Sequence, residues 1–169
     1  MDARVDLVVR PLTVDGFAPY GTVIAPTADG TPFGPGDAQL DFGGATPRFY
    51  AMRIPGRGLE VQRITRHRHC TQALASVGGF TWVLAVAPPS DVGVDDAYPE
   101  LNDITAFLIP GDVAIMLAKG TWHAGPMFPP GQEQSFFNLE LADTNVVDHH
   151  SVDLLDTFGV SLNLVGSGL

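Results

Sequence analysis

The stretch FTWVLAVA, Phe80 to Ala87, decides the fold. It follows a Gly78-Gly79 turn, runs apolar throughout, and gives way to the irregular acidic segment PPSDVGVDDAYPELND. A short apolar run between turn signals reads as a strand buried on both faces, hence central in its sheet. Working outward, Ile104–Ile109 (ITAFLI) and Val113–Leu117 (VAIML) are strands joined by a Pro110-Gly111-Asp112 turn. Trp122-His123 opens another strand. After a Pro/Gly loop from Pro126 to Gln134, SFFNLEL (Ser135–Leu141) alternates, with Phe137, Leu139 and Leu141 on one face and Phe136, Asn138 and Glu140 on the other.

Upstream, Asp6–Pro11, Thr22–Ala25, Arg48–Ile54 and Leu59–Ile64 read as further strands, with Phe49, Ala51 and Arg53 sharing a face. Thr13 is placed to cap a single helical turn. Residues 26–47 are a long Gly/Pro/Asp/Ala loop of the kind that forms lids. The stretch from Thr144, with His149-His150, reads as a tail, followed by a last helix or strand over Val152–Leu164. Many short strands, Gly/Pro turns and little helical periodicity predict an all-β sandwich or barrel with a few short helices. With no repeat and no composition break, residues 1–169 read as one domain.

Hydrophobic residues make up 45% of the chain and charged residues 17%, which excludes a disordered chain. The formal net charge of -10 repels phosphate backbones and anionic lipid, so nucleic-acid and membrane partners are not expected. Cys70, the single cysteine, forms no internal disulfide and reads as a small buried side chain. The chain shows no secretory leader and no membrane-spanning run, and a cytoplasmic location is expected.

Basic groups are scarce, and they cluster. RHRHCTQ, Arg66 to Gln72, holds His67 and His69, and KGTWH holds Lys119, the sole lysine, and His123. On a strand, His67 and His69 share a face, so with Gln72 and His123 they could hold a divalent Ni, Zn, Mn or Fe ion. Five of the eight arginines lie between Arg53 and Arg68. Arg53 and Arg66 are candidate bidentate clamps for a small carboxylate. Lys119 could hold a carboxylate or form a Schiff base. Glu140 is the candidate general base if its face lines a pocket, with Asn138 orienting a carbonyl or amide. Trp122 reads as a core or pocket-wall aromatic.

The HxH strand followed by a distant Gly-x-x-His resembles the metal-binding pattern of cupins, which are small β-barrels. More specifically, FAPYGTVI, RH followed by TQA, an apolar strand ending in VAP, AFLIPG and GTWH follow one another as in the ureidoglycolate lyase family, over residues 8–145. The resemblance implies a cupin-like barrel, a homodimer, and cleavage of ureidoglycolate to glyoxylate and urea in purine-nitrogen salvage through allantoin. The site positions it carries over are Arg53, Arg66, His67, Gln72, Trp122 and His123, with Glu140 at the family's late acidic position. The lining departs from the family at Thr65, in place of a glutamate, and at Arg68 and His69, in place of a proline and an apolar residue. It departs again at Leu117, Ala118 and Ala124 within the YHxxxWHH block, and at Leu141 in place of an arginine.

The leading expectation is therefore a carbon–nitrogen lyase acting on ureidoglycolate or a similar small ureido or hydroxy acid. His123 or Glu140 would take the carbinol proton, and Arg53, Arg66 or Lys119 would hold the carboxylate. A metal-dependent cupin isomerase or oxygenase is the alternative, marked by stoichiometric metal lost on replacing His69. A non-enzymatic small-acid-binding module is the third, marked by binding without turnover.

Overall fold

The structure, a computed structural model, describes residues 3–169. Its strands are β1 (Ala3–Pro11), β2 (Gly21–Ile24), β3 (Pro47–Pro55), β4 (Glu60–Val61), β5 (Arg63–Arg66), β6 (Gln72–Ser76) and β7 (Trp82–Ala87). They continue with β8 (Thr105–Ile109), β9 (Ala114–Leu117), β10 (Trp122–Met127), β11 (Glu133–Leu141), β12 (His150–Asp153) and β13 (Val160–Val165). The helices are short: α1 (Val14–Phe17), α2 (Thr144–Val147) and α3 (Leu154–Phe158). Eight strands form one sheet in the order β12-β5-β10-β7-β8-β1-β13-β4, and five form the other in the order β2-β9-β6-β11-β3. The fold is all-β and cupin-like.

The central strand is β7, hydrogen-bonded to β10 on one side and β8 on the other. All six of its residues are buried. Alternation sends Trp82, Leu84 and Val86 into the core shared with the five-stranded sheet, against Ile115, Leu117 and Phe136. Val83, Ala85 and Ala87 enter a second core with Ile64, Trp122 and Leu154. Two cores, one per face, are why the strand Trp82–Ala87 has no polar position to alternate with. Thr13 caps α1 as expected, accepting from the Gly16 N–H at 3.0 Å.

Two expectations need correction. The strand expected to carry both His67 and His69 ends at Arg66, and residues 67–70 turn away from the sheet. The buried Asp148 carboxylate accepts the backbone N–H groups of Arg68 (2.6 Å) and His69 (2.9 Å), donors that a continuing strand would have given to a neighbour. The stretch from Thr144 is also built into the molecule rather than a tail. Residues 144–151 make α2 and open β12, which pairs with β5; the helix or strand expected over Val152–Leu164 is found as α3 and as β13, which pairs in parallel with β1. In α3, the Asp153 side chain accepts from the Leu155 and Asp156 N–H groups, and Gly159 closes the helix at φ 72°.

Candidate active site

A cavity of about 510 Å³ opens between the sheets. Its floor comes from the inner face of β11: Asn138 and Glu140 are buried while Phe137 is exposed, which settles the face that alternation alone left open. Tyr50 and Met52 face inward from β3, the partner of β11, and Gln72 from β6 on its other side. His67 and His123 form the opposite wall, with ring centroids 5.0 Å apart. His149 joins them, its ring 6.0 Å from that of His67.

One glycine holds both histidine segments. Gly120 adopts φ +80°, and its N–H donates to the His67 carbonyl at 2.7 Å. A Cβ there would lie 2.7 Å from the Ser90 carbonyl oxygen. The turn then feeds β10, which places His123 opposite Val86 and Thr65.

Both imidazoles are fixed in one tautomer. His67 Nδ1 lies 2.6 Å from the Asp148 carbonyl and His123 Nδ1 lies 3.3 Å from the Thr121 carbonyl. A carbonyl only accepts, so each Nδ1 carries the proton and each Nε2 keeps its lone pair. Burial holds the His67 pKa below the ordinary imidazole value, opposed by the Asp148 carbonyl. Burial, with His67 alongside, pushes His123 down to about 3. At neutral pH both are free bases.

The floor is a continuous polar network. Gln72 Nε2 donates to Asn138 Oδ1 and to Glu140 Oε2, both at 3.1 Å. Asn138 Nδ2 donates to the Tyr50 hydroxyl (3.1 Å), which donates to Glu140 Oε1 (3.0 Å). Burial and the neighbouring Glu140 carboxylate raise the Tyr50 pKa, keeping the phenol a donor. Asn145 Nδ2 also approaches Glu140 Oε1, at 3.4 Å. With its amide nitrogen engaged twice, Gln72 leaves Oε1 buried and without a partner in the protein.

The structure thus brings together His67, His123, Gln72, Asn138 and Glu140. The other predicted residues lie elsewhere. Arg66 is fully buried, donating through Nε to His150 Nδ1 (2.9 Å), through Nη1 to the Asp91 carbonyl (2.9 Å) and through Nη2 to the Val94 carbonyl. Its guanidinium also sits over the Trp122 ring. It anchors the acidic loop after β7 and does not line the cavity. Trp122 is core, with its indole N–H donating to Ser90 Oγ at 2.9 Å. Arg53 is exposed and paired with Glu133, as the outward face of β3 requires. Lys119 pairs with Asp41 at 2.7 Å and holds Asp41 below the usual carboxylate range. That pair, with Thr71 bonded to both backbone groups of Asp41, fastens the 26–47 loop, none of whose residues lines the cavity. Cys70 is buried beside Thr144, and burial raises its pKa, so it stays a thiol.

His69 turns to solvent, with Nδ1 3.7 Å from Asp148 and outside the cavity. The donor set expected for a metal ion is not assembled: among the described residues no three His, Cys, Asp or Glu side chains come together to hold one. Sequence reasoning missed Tyr50, His149, Asp148, Arg57 and Arg63. Arg57 and Arg63 stand exposed at the cavity rim. Arg63 reaches Asp153 at 3.9 Å. The signal for Tyr50 was present, since it alternates with Phe49 and Ala51.

Neutral imidazoles lining one cavity with an amide–carboxylate network, in an all-β cupin-like fold, have the make-up of an enzyme's active site. The ureidoglycolate lyase family model matches residues 34–157, and the chain belongs to that family. Curated ureidoglycolate lyases are similar to it. That of Burkholderia mallei (strain NCTC 10229) is 30% identical over 146 residues, 79% of this chain and 81% of that protein. That of Rhizobium etli (strain CIAT 652) is 29% identical over 151 residues, covering 78% and 82% respectively. That of Azotobacter vinelandii is 26% identical over 136 residues, covering 69% and 74%. Membership of that family makes this chain a lyase. Among the described residues no helix is long and apolar enough to cross a membrane.

Proposed function

We propose that this chain cleaves ureidoglycolate, or a closely similar carbinol ureido acid, to glyoxylate and urea. The observation that carries the reading is the facing pair of neutral imidazoles, each with Nε2 free, lining one cavity with the Gln72–Asn138–Glu140 network.

The substrate carries a carboxylate, a hydroxyl and a ureido nitrogen on one carbon. His123 Nε2 takes the hydroxyl proton; the oxygen electron pair closes to a carbonyl; the carbon–nitrogen bond breaks; and the proton passes to the departing nitrogen. Atoms balance with no water or oxidant consumed. A protonated His123 beside His67 in a buried site is unstable, which favours handing the proton on. Glu140 is the weaker candidate for the base, because Tyr50, Gln72 and Asn145 already donate to it. It instead fixes Gln72 in the cavity wall. Arg57 and Arg63 at the rim suit the carboxylate. No step runs through a metal, because the donors present do not form a metal group.

We further infer a homodimer in the cytoplasm. Support for pairing comes from β3, a nine-residue edge strand whose exposed Phe49 stacks on Phe137 at 5.4 Å. Support for the location is the strongly acidic composition with a single buried cysteine.

The test is product analysis from racemic ureidoglycolate. Glyoxylate and urea are expected in equal amounts from one enantiomer. Ammonia in place of urea would replace lyase chemistry with amide hydrolysis and overturn the reading.

A further inference from the structure

The strand β3 runs along a free edge of the five-stranded sheet, with β11 as its one strand partner among the described residues. Its backbone groups alternate sides. Just before β3 the Thr46 carbonyl accepts from the Ala142 N–H, and just after it the Gly56 N–H donates to the Gln132 carbonyl. The register between these two bonds is unbroken, so the even-numbered residues of β3 bond to β11. Phe49, Ala51 and Arg53 therefore direct both N–H and C=O at the open edge, and all three are exposed.

Such a row is a template for another strand, and proteins that stay single blunt it with lysine, a bulge or an inserted proline. Between its terminal residues, Pro47 and Pro55, β3 carries none of these. Its sequence instead matches itself about Ala51. Laid antiparallel against a copy, PRFYAMRIP sets Pro47 against Pro55, Arg48 against Ile54, Phe49 against Arg53 and Tyr50 against Met52. Every outward N–H between the prolines then meets an outward carbonyl. No charge faces a like charge, and each Arg53 guanidinium meets a Phe49 ring in a cation–π pairing. A strand that matches itself about one residue fits a twofold axis.

We propose that two copies of this chain join β3 to β3, antiparallel across a twofold axis at Ala51, into one continuous sheet. Directly opposite side chains share a face, so Met52 of the partner subunit lies beside Tyr50, whose hydroxyl donates to Glu140 in the cavity floor. Each cavity wall thus continues into the other copy. This rests on the homodimer inferred above and adds the strand and the register that make it.

The experiment is residue-resolved amide exchange on the whole 15N-labelled chain, at concentrations where sedimentation shows a dimer. The Phe49, Ala51 and Arg53 amides should exchange about a hundredfold slower than after dilution to monomer. Ala51→Pro should give a folded monomer, because a proline at an outward edge position removes no bond to β11. Ala51→Cys, on the axis, should cross-link to its copy through a short bismaleimide, the native Cys70 being buried. A monomer at every concentration overturns the homodimer and this proposal together. A dimer whose three amides exchange fast, that survives Ala51→Pro, or that fails to cross-link overturns the β3 pairing and leaves the homodimer standing. The exchange arm needs no variant to fold.

Discussion

His123 is kept neutral by burial and by His67, with consequences for pH that depend on its depressed pKa. The unfolded chain's imidazole protonates near pH 6.5, whereas the folded one does so near 3. Between those values the unfolded state binds the extra proton. The stability this histidine permits is intact above about pH 6.5 and declines below it, at a limiting slope of about 1.4 kcal/mol per pH unit. Urea unfolding from pH 7 to 4.5 should show a shallower pH slope for His123→Gln than for the unaltered chain. Parallel slopes would mean that the folded His123 titrates normally. At the rim, Arg57→Ala should raise KM about tenfold, because Arg57 lines the cavity and makes no ion pair with a described residue. Arg53→Ala should leave KM unchanged, since Arg53 lies outside the cavity beside Glu133. The reverse order in steady-state kinetics would return the carboxylate to Arg53.

At the scale of elements, the turn before β10 aims the base. Gly120→Ala puts a methyl group 2.7 Å from the Ser90 carbonyl at a φ that disfavours side chains. It should lower both kcat, by roughly tenfold to a hundredfold, and the melting temperature. Unchanged kcat would show that His123 is positioned otherwise. Phe49→Lys on β3 should convert a sedimenting dimer to monomer, and a persistent dimer would move the interface elsewhere. Elements of this kind were legible in the sequence because their pattern is local. FTWVLAVA announces a strand with two covered faces, and Thr13 announces its helix. What was not legible was non-local. Asp148 caps the bend at His67–His69 from eighty residues away, so the apparent HxH strand is broken by a partner that periodicity cannot supply. Arg66 and Lys119 looked like substrate clamps because cations in an acidic chain are conspicuous. Their real partners are loops, the Asp91–Val94 carbonyls and Asp41, which only the fold brings near. Tyr50 and Glu140 could be paired only once β3 and β11 were known to be neighbours.

Across the whole molecule, two cores meet on β7 and support the polar cavity along β11. Leu84, fully buried between the sheets, holds this arrangement. Leu84→Ala should cost about 2–5 kcal/mol in urea unfolding. The central claim is that the facing histidines, without a metal, turn over a carbinol ureido acid in this cavity. Its most direct test is the rate of glyoxylate release from ureidoglycolate by chelator-treated protein, compared with His123→Gln. Full turnover after chelation is expected, with kcat falling at least a hundredfold in the variant while KM stays within a few-fold. Activity that vanishes on chelation and returns with added metal, or a variant as fast as the unaltered chain, would contradict it.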